Sequence, residues 1–313
     1  LAVVLGRGNE QVDLVAGKSA SDDHEPAARV VLATYAAEVA EEILGDMGRA
    51  LEVLLPLVDA SIATADVCAQ IERLGRKLGE LQAVERALRE AARLATDSST
   101  QGKTLVRLGD VQLEQGDLQG ALDGYRDAFD LGVQAEAIRG LEQLLDRGGD
   151  APEAAVLDAL EHAYQVVGDK MGHARVVEHR LRIGSEADQV RLLEQLAVLR
   201  DEGGGTPEAA LEAWGQLLTL DPEGVQALDR VLALGRSTSR MPQVADYMLA
   251  AVAEGRERGT NVTALALQAA GILLRELGAP SRARAVLDAI LEEQSEHAEA
   301  LELLVDATRT SCD

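Results

Sequence analysis

Aromatic side chains are nearly absent from this chain, which has one Trp, one Phe and four Tyr among 313 residues. A single large globular core usually recruits more rings, whereas thin Ala and Leu interfaces between stacked helices need few. Cysteine is equally scarce. Cys68 and Cys312, far apart in sequence, form neither a disulfide framework nor a zinc spacing, and they leave the compartment open. No apolar run reaches the length of a membrane span and no signal-peptide pattern is visible. The numbering opens on Leu1 rather than Met, so the segment is expected to be a piece of something longer and that lack weighs little; cytoplasm is favoured weakly over periplasm.

Positive charge is also in short supply. Thirty basic residues face 54 acidic ones, for a formal charge of −24. Neutralising phosphates takes clustered Lys and Arg, so nucleic acid and anionic membrane are not expected partners, and no membrane insertion is expected; a basic protein segment suits the charge better. The same acidity would also serve simply to keep a Leu-rich chain soluble. Lys18, Lys77, Lys103 and Lys170 are the only lysines and all other basic residues are Arg, a bias that accompanies GC-rich bacterial genomes.

What is present is a repeat. Leu105, Leu108 and Gly109, the turn Gly116-Asp117, then Ala121, Tyr125 and Ala128 are matched at identical offsets by Leu267, Ala270 and Gly271, the turn Gly278-Ala279, then Ala283, Leu287 and Ile290. Small residues at Gly109 and Ala121 are expected to let two antiparallel helices approach, with larger apolar residues three or four apart filling the stripe beside them. Self-similarity at the period of one helical hairpin indicates a solenoid. Two further copies, Ala37 with Ala50, Leu54 and Leu57, and Ala197 with Ala210, Trp214, Leu217 and Pro222, each need one extra residue in the turn, at Gly45-Asp46 and at Gly203-Gly204-Gly205. Copies at Gly79 and Gly168 keep the turn and lose the small residues.

This spacing of Leu, Gly, Ala, aromatic and Ala resembles the tetratricopeptide repeat family, over most of the chain. Gln112 stands where that family has an aromatic, and Val133 where it has its closing proline. The resemblance implies an all-α, right-handed α-solenoid of about seven or eight antiparallel hairpins. Helices are expected at 26–44, 47–60, 63–78, 80–95, 99–115, 117–131, 133–147, 152–167, 170–183, 186–201, 207–220, 223–236, 241–254, 260–277, 280–293 and 296–309. Pro152, Pro207, Pro222 and Pro242 mark first turns, with Thr206 and Asp221 expected to supply the accepting cap oxygens. Residues 1–24 read as the tail of one helix, a second short helix and a linker; 25–147 and 148–313 read as two continuous blocks of hairpins. The repeat phase slips at Gly148-Gly149-Asp150.

Motifs for chemistry fail on spacing. Gly17-Lys18-Ser19 ends like a phosphate loop, yet Val12 occupies the position of the required glycine; Gly6-Arg7-Gly8 reads as a turn. His173 and His179 are six apart, whereas a helical zinc pair wants four with a glutamate between. The adjacent acids Glu41-Glu42 and Glu292-Glu293 point in different directions on a helix, and no Ser lies on a glycine elbow. No catalytic residue, cofactor or metal is therefore expected, and the chain reads as a non-enzyme.

In the family, the first helix of each hairpin lines a concave groove that holds partner peptides. The resemblance carries this role to Lys103, Val106, Asp110 and Leu113; to Arg191, Glu194, Val198 and Asp201; and to Leu265, Gln268, Ile272 and Arg275. A solvated helix face is the plainer reading of each. Capture of a terminal carboxylate needs an Asn- and Lys-rich clamp, and the only asparagines, Asn9 and Asn261, lie elsewhere. The expected function is a non-catalytic scaffold or adaptor for protein partners. The alternatives are a structural subunit of a large assembly and a regulatory arm of a longer enzyme or signalling protein.

Overall fold

The computed structural model describes residues 2–21, 23–147 and 153–310. Among them the chain is helical throughout, with no strand, and it divides into two compact units, 1–163 and 164–313. The first holds α1 (Ala2–Ala20), α2 (Pro26–Glu38), α3 (Met47–Asp59), α4 (Ala65–Leu78), α5 (Leu81–Leu94), α6 (Ser98–Gln115), α7 (Leu118–Asp130) and α8 (Gln134–Arg147). α9 (Glu153–Val167) gives its residues up to Ala163 to the first unit and the rest to the second. The second continues with α10 (Lys170–Ile183), α11 (Glu186–Leu199), α12 (Pro207–Leu220), α13 (Val225–Ser237), α14 (Met241–Glu257), α15 (Thr263–Arg275), α16 (Pro280–Glu293) and α17 (Ala298–Thr310). From α1 to α8 and from α10 to α17, each helix packs against the next across a short connection, forming helical hairpins. The expected helices from residue 26 onward are all present, with ends shifted by no more than three residues once the π-helical turn Val39–Ile43 is counted with α2.

Local chemistry explains the hairpins. Gly79, Gly116 and Gly168 end α4, α6 and α9 in the left-handed region, at φ 77°, 85° and 73°, where an L side chain would be strained. The next residue then folds back, the Asp117 amide donating to the Gln112 carbonyl and the Asp169 amide to the Tyr164 carbonyl. The carboxylates of Asp117 and Asp169 accept from the amides of Gly120 and Gly172, capping α7 and α10. Thr206 caps α12 in the same way through the Ala209 amide, with Pro207 at the first helical position.

Two expectations about termini are corrected. Residues 2–20 form one helix without a break at Gly6-Arg7-Gly8, and Gly8 serves contact: a Cβ there would lie 2.9 Å from the Leu44 side chain. Gly17-Lys18-Ser19 is likewise helical, with Ser19 Oγ donating to the Ala16 carbonyl. Pro222 does not open a helix. It belongs to the preceding turn, and α13 starts at Val225. The phase slip at 148–150 and Pro152 lie outside the described residues.

The extra residue in two of the repeats has a structural counterpart. α2 and α11 both end in a π-helical turn, Val39–Ile43 and Arg200–Gly204, immediately before those two connections. A π turn carries one more residue than an α turn, so the insertion is absorbed by widening the helix end. Each π turn also presents an acid five residues ahead of the next helix cap: Glu41 before Asp46, Asp201 before Thr206. Both acids pair with an arginine on the first helix of the following hairpin, Glu41 with Arg73 and Asp201 with Arg230.

The scarce aromatics pack on glycines. The Tyr125 ring of α7 lies between Gly109 of α6 and Gly140 of α8, where an added Cβ would come within 2.7 and 2.4 Å of it. Tyr164 covers Gly172, and Tyr247 covers Gly215, again at 2.4 Å. Gly109 is therefore a close-approach position as expected, but the group that meets it is the Tyr125 ring, with Gly124 beside it, rather than Ala121. Gly271 is no such position, since a Cβ there would reach only the Arg275 guanidinium, 3.5 Å away.

Candidate partner-binding face

In the first unit α4, α6 and α8 expose a common face, each helix one hairpin period from the next. They enclose a hollow of about 530 Å³ between Arg76, Asp110, Leu113, Glu136, Arg139 and Arg147. The carboxylate of Asp110 accepts the Tyr125 hydroxyl at 2.9 Å, and Arg147 donates to the Leu113 carbonyl. Burial and the Asp110 charge push the Tyr125 hydroxyl far above its ordinary range, so it stays a donor. Ion pairs stitch the same face across the repeat: Arg107 to Glu72 at 2.9 Å and Arg76 to Glu114 at 3.8 Å. Arg139 and Gln143 are left exposed at the rim, without a partner among the described residues.

The second unit repeats this on α13, α15 and α17. Their hollow, about 470 Å³, has an apolar floor of Ala264, Leu267 and Ile272, with Gln268, Arg275 and Glu299 around it. Arg236 reaches Glu276 at 3.3 Å, again one repeat apart. Arg275 and Gln268 are exposed and have no partner among the described residues.

The twelve residues assigned to the groove therefore separate. Asp110 and Leu113 line the first hollow; Gln268, Ile272 and Arg275 line the second. Lys103 is exposed, Val106 and Leu265 are buried, and none of the three lines either hollow. On α11, Arg191 pairs with Asp188 at 3.4 Å, Glu194 is exposed and Val198 half-buried. Asp201 is taken up by Arg230 in the π turn and is only 17% exposed. Sequence reasoning missed Arg139, Gln143 and Arg147, because α8 lies beside the phase slip and carries no turn signature of its own.

Neither hollow is acidic. Arg76, Arg139 and Arg147 balance Asp110, Glu114 and Glu136 in the first; Arg236 and Arg275 balance Glu276 and Glu299 in the second. The acid excess lies on the rest of the surface. Among the described residues no three of His, Cys, Asp and Glu converge as metal ligands, and no helix is long and apolar enough to cross a membrane. Cys68 is buried between helices, and desolvation pushes its thiol up to about 11.

No family model and no curated protein matches the chain. Solved structures to which it is similar include tetratricopeptide repeat proteins. One from Parabacteroides merdae is 18% identical, with 78% of this chain and 98% of that one covered and a TM-score of 0.21. The TPR domain of P58(IPK) is 14% identical, with 96% and 88% covered and a TM-score of 0.27. The TPR2AB domain of yeast Sti1, solved in complex with pHSP90, is 14% identical, with 89% and 99% covered and a TM-score of 0.29. Scores this low do not superpose the folds, and the hairpin architecture stands on the helix packing described above.

Proposed function

We propose that the chain is a non-catalytic scaffold that holds a segment of a partner protein on the faces formed by first helices, α4, α6 and α8 in one unit and α13, α15 and α17 in the other. The observation that carries this reading is that each face is concave and keeps uncommitted polar side chains at its rim, Arg139 and Gln143 in one and Gln268 and Arg275 in the other, while the neighbouring charges are tied in cross-repeat ion pairs. Groups already paired hold the face rigid, and the free ones can recognise a segment without first breaking an internal bond.

A basic partner segment is supported by the net charge of −24 and by exposed acids such as Glu194, which would steer its approach from outside the balanced hollows. A structural subunit of a larger assembly is the second reading. It is supported by Leu301 and Val305, one turn apart on α17 and 43% and 49% exposed.

Photo-crosslinkable residues placed at Gln143, Gln268 and, as an outward control, Gln119 test the reading in cells. Protein adducts are expected from the first two positions and not from Gln119. Adducts from Gln119 alone would move the binding face to the opposite side.

A further inference from the structure

At the end of the second unit where the α10–α11 and α12–α13 connections lie, Leu181, Leu193 and Leu220 line a slot of about 400 Å³ together with Gln189, Gln216 and Thr219. Its lining carries no charge, in a chain of which 27% of the residues are charged. The slot has a cause in the fold. α12 packs directly along α14, whereas the π turn Arg200–Gly204 packs against both α10 and α12. Gly204 is so tight there that a Cβ would lie 2.8 Å from the Lys170 carbonyl at the start of α10. The π turn thus lies against both helices at that end, and Leu181 of α10 and Leu220 of α12 line the slot at the other.

We propose that this slot is a second docking site, separate from the first-helix faces, and that it takes a leucine-class residue of a partner protein segment, side chain and adjoining peptide group together. Three leucine side chains offer an apolar seat of the size and polarity that recognition pockets have. The carboxamides of Gln189 and Gln216 have no partner among the described residues, and each offers both donors and an acceptor, which matches a peptide group and not an ion. A charged side chain would lose its hydration against this lining with no counter-charge to replace it. Thr219 is not available to a ligand as a donor, since its hydroxyl donates to the Gly215 carbonyl at 3.0 Å. In the first unit, which has the other π turn, Arg29 near the start of α2 donates instead to the Ser19 carbonyl of α1 at 2.9 Å.

The test is an NMR titration of the isotope-labelled chain with N-acetyl-leucine methylamide. Saturable shifts are expected in the side-chain amide signals of Gln189 and Gln216 and not in those of Gln143 and Gln268. N-acetyl-alanine methylamide, which lacks the branched end, should bind at least about tenfold more weakly. Gln216→Trp, at an exposed position on the slot wall, should abolish the shift at Gln189 while leaving the thermal midpoint unchanged. Equal shifts from N-acetyl-lysine methylamide, or none from the leucine compound, would overturn the site. Equal shifts from isoamyl alcohol, which has the branched chain and no peptide group, would overturn the protein-segment assignment in favour of a small neutral ligand. Because the readout lies on residues outside both first-helix faces, this proposal and the scaffold reading can fail independently.

Discussion

The hydroxyl of Tyr125 donates to Asp110 at 2.9 Å, while the ring above it fills the space left by two glycines, Gly109 and Gly140, on successive first helices. One residue thus joins the packing of the array to its partner-binding face. Tyr125→Phe keeps the ring and strips Asp110 of its donor. It should lower stability by about 1.5 to 3 kcal/mol, the range for a hydrogen bond to a charged group, read as a shift in urea midpoint at constant slope.

The same geometry separates two glycines that look alike in sequence. Gly140→Ala drives a methyl into the Tyr125 ring and should cost about 1 to 3 kcal/mol by overpacking. Gly271→Ala meets only the tip of Arg275, so the gain in helix propensity, up to about 1 kcal/mol, should show as a neutral or stabilising change. Equal losses at both positions would mean that the tyrosine does not sit where the structure puts it.

Much of the fold is legible in the sequence because the signals are local. Gly116-Asp117 encodes a left-handed stop and a cap in two residues, and Pro207 after Thr206 encodes a start. The spacing also announced one surplus residue before Asp46 and before Thr206. What it did not announce is how a helix absorbs it, since a π turn has no residue signature. The Tyr-on-Gly contacts were missed for a different reason. They join residues 8 to 32 positions apart, and a helical glycine reads the same whether an aromatic covers it or nothing does. The groove is the least legible part, because the sequence does not show that two of its acids are engaged, Asp110 with Tyr125 and Asp201 with Arg230.

That engagement alters the expected cost of reversing charge along the face. Glu194→Lys, at an exposed position, should stay within about 0.5 kcal/mol of the parent. Asp201→Lys places two cations together in a π turn and leaves Arg230, part of whose guanidinium is buried, without its partner. A loss of about 1 to 3 kcal/mol is expected. Matching thermal midpoints for the two variants would show that the Asp201 pair contributes nothing.

Within the first unit Ala121 is fully buried and Gln119 exposed, two residues apart near the start of α7. Ala121→Leu should cost about 1 to 3 kcal/mol, and Gln119→Leu much less. Equal thermal shifts would place the α6–α7 register in error even if both helices are present.

Acid titration tests two ion pairs, Glu41 with Arg73 across a repeat boundary and Glu90 with Arg93 within α5. The hydrogen bond from Arg73 holds the Glu41 carboxyl below its ordinary range, and Arg93 does the same for Glu90. A carboxyl whose pKa is depressed in the folded state contributes stability that is fully present above its unfolded value, near 4.3, and is lost as pH falls through the lower folded value. Stability should therefore decline as pH drops below the usual carboxylate range. Glu41→Gln should flatten part of that decline while leaving the Glu90 part, and the double variant with Glu90→Gln should flatten more. The Glu41 side chain is partly exposed and that of Glu90 only 9% exposed, so added salt should shrink the Glu41 effect more than the Glu90 effect. A decline with the same slope in parent and double variant, measured by urea unfolding at each pH, would assign the acid sensitivity to other carboxylates and leave these two pairs as geometry without energy.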